Sequence, residues 1–97
     1  MTDYSKMSDL DINVLVGEIQ GFANKIAALN GMRDYCNNPA DAWPIIVENK
    51  INIDFRDSIK AGPMARLCRD NGIYAVDKNP LRAAMIAFLM MKDAEKC

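Results

Sequence analysis

The sequence predicts a single α+β domain over residues 1–97, with three helices and a small antiparallel sheet packed around a buried C-terminal helix at 79–91. Three observations predict it. From Ala83 to Met91 every residue is apolar, and a helix apolar all round must be enclosed by other elements. Ile12, Leu15, Ile19, Phe22, Ile26 and Leu29 recur at alternating spacings of three and four, the mark of one apolar helix face. Ile51, Ile53 and Phe55 alternate with Asn52, Asp54 and Arg56, the period-two pattern of a half-buried strand.

Met1 to Met7 read as a polar lead, without the basic and then apolar order of a signal peptide. Ser8 and Asp11 approximate a capping box, and Asp9 and Asp11 suit the positive end of a helix dipole. The first helix therefore starts at Ser8 and is expected to run as one piece to Asn30-Gly31. Gly17 and Gly21 each weaken it by up to about 1 kcal/mol relative to Ala, so a break after Val16 is the competing arrangement. The stripe is too short for a convincing coiled coil and is assigned to packing within the chain.

Asn37, Asn38 and Pro39 form a turn. Asp41 is read as the N-cap of the second helix, which puts Pro44 at the third helical position, where no intrahelical donor is needed. Trp43, Ile46, Val47 and Lys50 share a face, and Trp43 is expected to anchor this helix against the central one. After the strand at 51–56, Ala61-Gly62-Pro63 breaks the chain, and Met64 to Arg69 and Ile73 to Val76 flank Asn71-Gly72, a strong hairpin signal. Residues 63–72 also fit a short helix that starts at Pro63 and is capped by Gly72. Asn79 as N-cap and Pro80 at the first helical position open the central helix. Its apolar run is shorter than the roughly 20 residues of a membrane span, and Arg82 and Lys92 bracket it. Met64, Met85, Met90 and Met91 are expected to fill gaps in the core beside it.

A chain of this length buries roughly 60–65% of its unfolded surface, enough for a core without metal or disulfide support. Net charge is −1, from 12 basic and 13 acidic residues, so bulk charge announces neither a nucleic-acid footprint nor an acidic tail. Cys36, Cys68 and Cys97 are odd in number and form no C-x-x-C pair. No disulfide framework, metal site or cofactor is expected, and a reducing cytoplasm fits best.

The chain contains no histidine, so the commonest general base and metal ligand is missing. Its glycines lack the spacing and following lysine of a phosphate-cradling loop. Cys36 near Asp34 lacks a base or positive neighbourhood that would activate a nucleophile. The carboxylate pairs Asp54 with Asp57 and Asp70 with Asp77 read as solvated turn residues. No catalytic residue is assigned and the protein is not expected to be an enzyme. The one basic bias is local. Arg66, Arg69, Lys78 and Arg82 are the candidate contacts for an anion or nucleic acid if the strands bring Arg66 beside Arg82 at a helix N-terminus. Met85, Phe88 and Met91 are the candidate interface if the short chain covers its central helix only in part, and a homodimer would then form there.

The segments D-Y-C-N-N-P-A-D-A-W-P-I-I-V-E-N-K-I (34–51) and K-N-P-L-R-A-A-M-I-A-F-L-M-M (78–91), with Y-S-K-M-S-D-L-D-I-N (4–13), resemble the NinX-like family of small proteins from lambda-like phages and prophages of enteric bacteria. Where members carry longer, strand-like sequence before D-Y-C-N-N-P, this chain has the short, helix-compatible G-F-A-N-K-I-A-A-L-N-G-M-R. The resemblance implies a phage accessory protein made in the cytoplasm of an infected or lysogenic bacterium, and it supplies no catalytic residues. The resulting expectation is a protein-binding module that acts on a host or phage protein, a defence component among the candidates. The alternative is a nucleic-acid-binding accessory protein that uses the basic sheet face.

Overall fold

The computed structural model describes residues 3–55, 62–68 and 72–95. Among them the architecture is α+β, as the sequence predicts, but with four α-helices rather than three. The elements are a 3-10 turn at Tyr4–Lys6, α1 at Asp9–Gln20, α2 at Phe22–Leu29, α3 at Pro39–Glu48, strands β1 at Ile51–Asp54, β2 at Met64–Leu67 and β3 at Tyr74–Val76, and α4 at Pro80–Glu95.

Helix α4 is the centre of the molecule. Asn79 caps it through its side-chain oxygen, which accepts from the backbone N–H of Leu81 at 3.0 Å, and Pro80 opens it. Ala83 to Leu89 and Met91 are all buried. The sheet, α1 and α3 all pack against it, which is how a helix without a polar stripe avoids water.

The extra helix comes from a break at Gly21. Its φ of +140° is one that L side chains rarely adopt, so glycine there lets α1 end and α2 begin with no loop between them. The two helices then fold back on each other. At Gly17 a Cβ would sit 2.8 Å from the carbonyl oxygen of Asn24 and 3.1 Å from the Cα of Lys25, so a residue without a side chain is what lets the backbones come this close. The reversal overturns the expected stripe. The buried residues of α1 are Ile12, Asn13, Val16 and Gly17, and of α2 only Ala28 is buried. Ile19, Phe22, Ile26 and Leu29 are exposed.

Helix α3 begins earlier than the sequence indicates, at Pro39. Asn38 is the cap and accepts from the N–H of Ala40 at 3.0 Å, so Asp41 falls inside the first turn. This sets the buried face at Ala42, Ile45 and Ile46, and Trp43, about 100° round from Ala42, is 61% exposed. It does not anchor α3 to the central helix.

Met64–Leu67 and Tyr74–Val76 are paired strands, as in the hairpin reading, rather than parts of a helix. The sheet order is β1-β2-β3, antiparallel throughout. Ile51 pairs with Leu67 and Ile53 with Ala65 on the face toward α4, while Asn52, Arg66 and Tyr74 align across the outer face. The Asn71 of the expected turn lies outside the described residues, as do Arg69, Asp70 and residues 56–61.

The polar lead is a strap along α4. Tyr4 is buried and its hydroxyl donates to Asp93 near the C-terminal end of α4. The carbonyls of Ser5 and Met7 accept from Arg82 near the other end.

Candidate functional site

The densest polar constellation gathers three separate segments around Arg82. Its guanidinium donates from Nε to Asp77 at 3.1 Å and from Nη1 to Asp9 at 2.6 Å. Nη2 donates to the carbonyls of Met7 at 2.6 Å and Ser5 at 3.2 Å. The side chain is only 11% exposed. Burial pulls its pKa down, but the hydrogen bonds to Asp9 and Asp77 outweigh this and hold it above its usual value, so the charge stays.

Beside it, the Asn79 amide donates to the carbonyl of Cys36 at 2.6 Å and to the side-chain oxygen of Asn37 at 2.9 Å. Asn37 donates in turn to Asp34 and to Asp9, both at 3.2 Å. Asn13, the buried polar residue of α1, donates to Asp34 at 3.0 Å and accepts from the Cys36 N–H at 3.0 Å. Asp41 accepts from the Asp34 N–H and from Arg33, each at 3.0 Å. Among the described residues no buried side-chain nitrogen or oxygen lacks a partner. The arrangement therefore locks α1, the 33–41 segment and the start of α4 together. The distinctive asparagines and aspartates of D-Y-C-N-N-P and K-N-P-L-R meet in space, and what they do there is hold the fold.

Cys36 lies inside this knot, fully buried. Burial, with Asp9 adding to it, outweighs the opposing pull of the nearby Arg82 and pushes the thiol from 9.0 up to about 12, so almost none is thiolate at neutral pH. The folded pKa lies above the unfolded one. Stability is therefore unaffected below about pH 9 and falls as the pH rises toward 12, because the unfolded chain releases the proton first. Urea melts are expected to show wild type losing about 2 kcal/mol more than Cys36→Ala by about pH 11. Parallel pH curves for the two proteins would mean the thiol is not enclosed.

The candidate anion contacts are not brought together. Arg66 lies on the outer sheet face, whereas α4, which carries Arg82, packs on the face of Ala65 and Leu67. Lys78 is exposed in the turn before α4, and Arg69 lies outside the described residues. Arg82 faces two carboxylates and two carbonyls instead of an open anion site. Met85, Phe88 and Met91 are 0%, 1% and 3% exposed in the single chain. They are core residues, covered without a second copy, and cannot serve as a surface interface.

The exposed apolar surface lies elsewhere. Trp43 and Val47, at 61% and 52%, stand one turn apart on the outside of α3. Phe55 and Tyr74 are exposed at 71% and 51%, and the α1–α2 hairpin carries the largest group. Residue type alone did not reveal these faces. Their signal was a surplus of apolar positions on α1 to α3 beyond what one side of each helix can bury.

These features define a small α+β domain fastened by amide and carboxylate side chains, with apolar faces left on its helices. The chain belongs to the bacteriophage P22 NinX family, whose model matches residues 3–92, and it is therefore a phage protein. No curated protein and no solved structure gives a significant match. Among the described residues no helix is long and apolar enough to cross a membrane.

Proposed function

We propose that this phage accessory protein is a non-catalytic protein-binding module, made in the bacterial cytoplasm and acting on a host or phage protein, with a component of host defence as one candidate target. The observation that carries this reading is Trp43. A tryptophan 61% exposed on a helix held by its Asn38 cap and by the Arg33–Asp41 ion pair at 3.0 Å is a rigid apolar anchor. Tryptophan is the side chain most enriched where binding energy concentrates. Val47 beside it widens the contact, and Pro44 between them adds apolar surface at no entropic cost.

The test is capture of partners from host lysate with tagged wild type and Trp43→Ala, each with and without nuclease. A partner that survives nuclease and is lost at least tenfold in Trp43→Ala is the expected result. Direct DNA binding that falls steeply with salt and disappears in Arg66→Glu with Lys78→Glu would overturn it in favour of a nucleic-acid-binding role.

A further inference from the structure

We infer that the outer face of the α1–α2 hairpin is a self-complementary interface for a second copy of this chain. It is separate from the Trp43 face, so either reading can fail without the other. Phe22, Ile26 and Leu29 occupy one face of α2, since spacings of four and three keep them within a narrow arc. They are 75%, 40% and 52% exposed. Leu10, which lines a groove with Leu29, and Met32, three positions beyond Leu29, extend the patch at 50% and 76%. Together these five residues present roughly 450–550 Å² of apolar surface, in the upper part of the range for a monomer's largest patch and more than half of the ~800 Å² per partner in a standard interface.

Shape favours a copy of this chain over an unrelated occupant. Leu29 lies in a groove of about 340 Å³ lined also by Met7, Leu10, Val14 and Leu15, with Asp11 its one charged member, while Phe22 protrudes at the opposite end of the stripe, about 10 Å away along the helix. A two-fold axis near Ile26 runs the two α2 helices antiparallel and seats each Phe22 over the other copy's groove. One surface thus supplies both knob and hole, as an isologous contact requires.

The test is sedimentation equilibrium from nanomolar to high micromolar protein, in reducing agent so that Cys68 cannot cross-link. Wild type is expected to reach twice the 10.8 kDa chain mass. Phe22→Glu is expected to raise the dimer dissociation constant at least tenfold, with an unchanged melting temperature, since Phe22 contributes little to the monomer core and an acid at the first position of α2 suits its dipole. Leu29→Lys is expected to do the same. An equimolar mixture of the two is expected to associate where neither does alone, because the antiparallel seating pairs the new glutamate with the new lysine. Trp43→Ala should leave the mass unchanged. A wild-type monomer at every concentration, a dimer untouched by Phe22→Glu, or a mixture that stays monomeric would overturn the inference.

Discussion

Replacing Phe88 by alanine is expected to cost about 3–5 kcal/mol, the largest loss from any single side chain in this domain. Phe88 is 1% exposed and heads the large, fully buried side chains. Its ring lies in the one helix that the sheet, α1 and α3 all touch, and the ammonium of Lys92 stands 5.6 Å from its centroid. Truncation removes the transfer free energy of the ring and leaves a cavity that the surrounding sheet, α1 and α3 cannot all move to fill. Against a total stability of about 5–15 kcal/mol for a domain of this kind, such a loss leaves the protein marginally folded. A urea melt reads it directly through the midpoint at constant slope. A cost below about 1 kcal/mol would show that the central helix is not enclosed.

Arg82→Met is expected to cost about 3 kcal/mol although it adds an apolar side chain of similar length. The loss arises from what is left behind. The carbonyl of Met7 and the carboxylate of Asp77, whose side chain is 23% exposed, lose a charged donor at part-buried positions, whereas the exposed carbonyl of Ser5 can turn to water. Asp9 contributes less, because its side chain is 48% exposed and can rehydrate. Arg82→Lys is expected to recover less than half of the loss. A point charge cannot reproduce a planar fork that reaches two carboxylates and two carbonyls at once. Release of the 3–7 strap should accompany the loss, read as faster amide exchange at Lys6 and Met7, whose N–H groups bond within the 3-10 turn. Wild-type exchange there in Arg82→Met, or a cost under about 1 kcal/mol, would reduce these contacts to surface ion pairs.

The knot was half legible beforehand. D-Y-C-N-N-P and K-N-P-L-R stand out as unusual strings, and Asn38 and Asn79 could be assigned to turns and caps from local rules alone. That Asn79 also reaches the Cys36 carbonyl, 43 positions earlier, has no local signature. Hydrogen bonds between distant segments leave no period in the sequence. Arg82 stands among the candidate anion contacts for the same reason: a basic residue at a helix start looks identical whether it faces solvent or two aspartates. Asn13 gave one faint sign, an amide set among Ile12, Val14, Leu15 and Val16, where a polar group that becomes buried must find partners.

Periodicity and punctuation by themselves determined the α+β class, the buried helix after Asn79-Pro80, the strand at Ile51 and the Ser8 cap of α1, because each depends on residues within a few positions of one another. Tertiary structure alone decided where the first helical stripe points. Continuous and broken helices satisfy the same three-four spacing, and the outcome depends on how closely α2 can approach α1. Gly21 permits the reversal and Gly17 permits the contact, and together they turn Phe22, Ile26 and Leu29 from the expected core onto the surface. Trp43 moved outward through a similar choice. Capping at Asn38 and the fit of Ala42, Ile45 and Ile46 against the rest of the fold set the rotation of α3, and a rotation about a helix axis is decided by what it packs against.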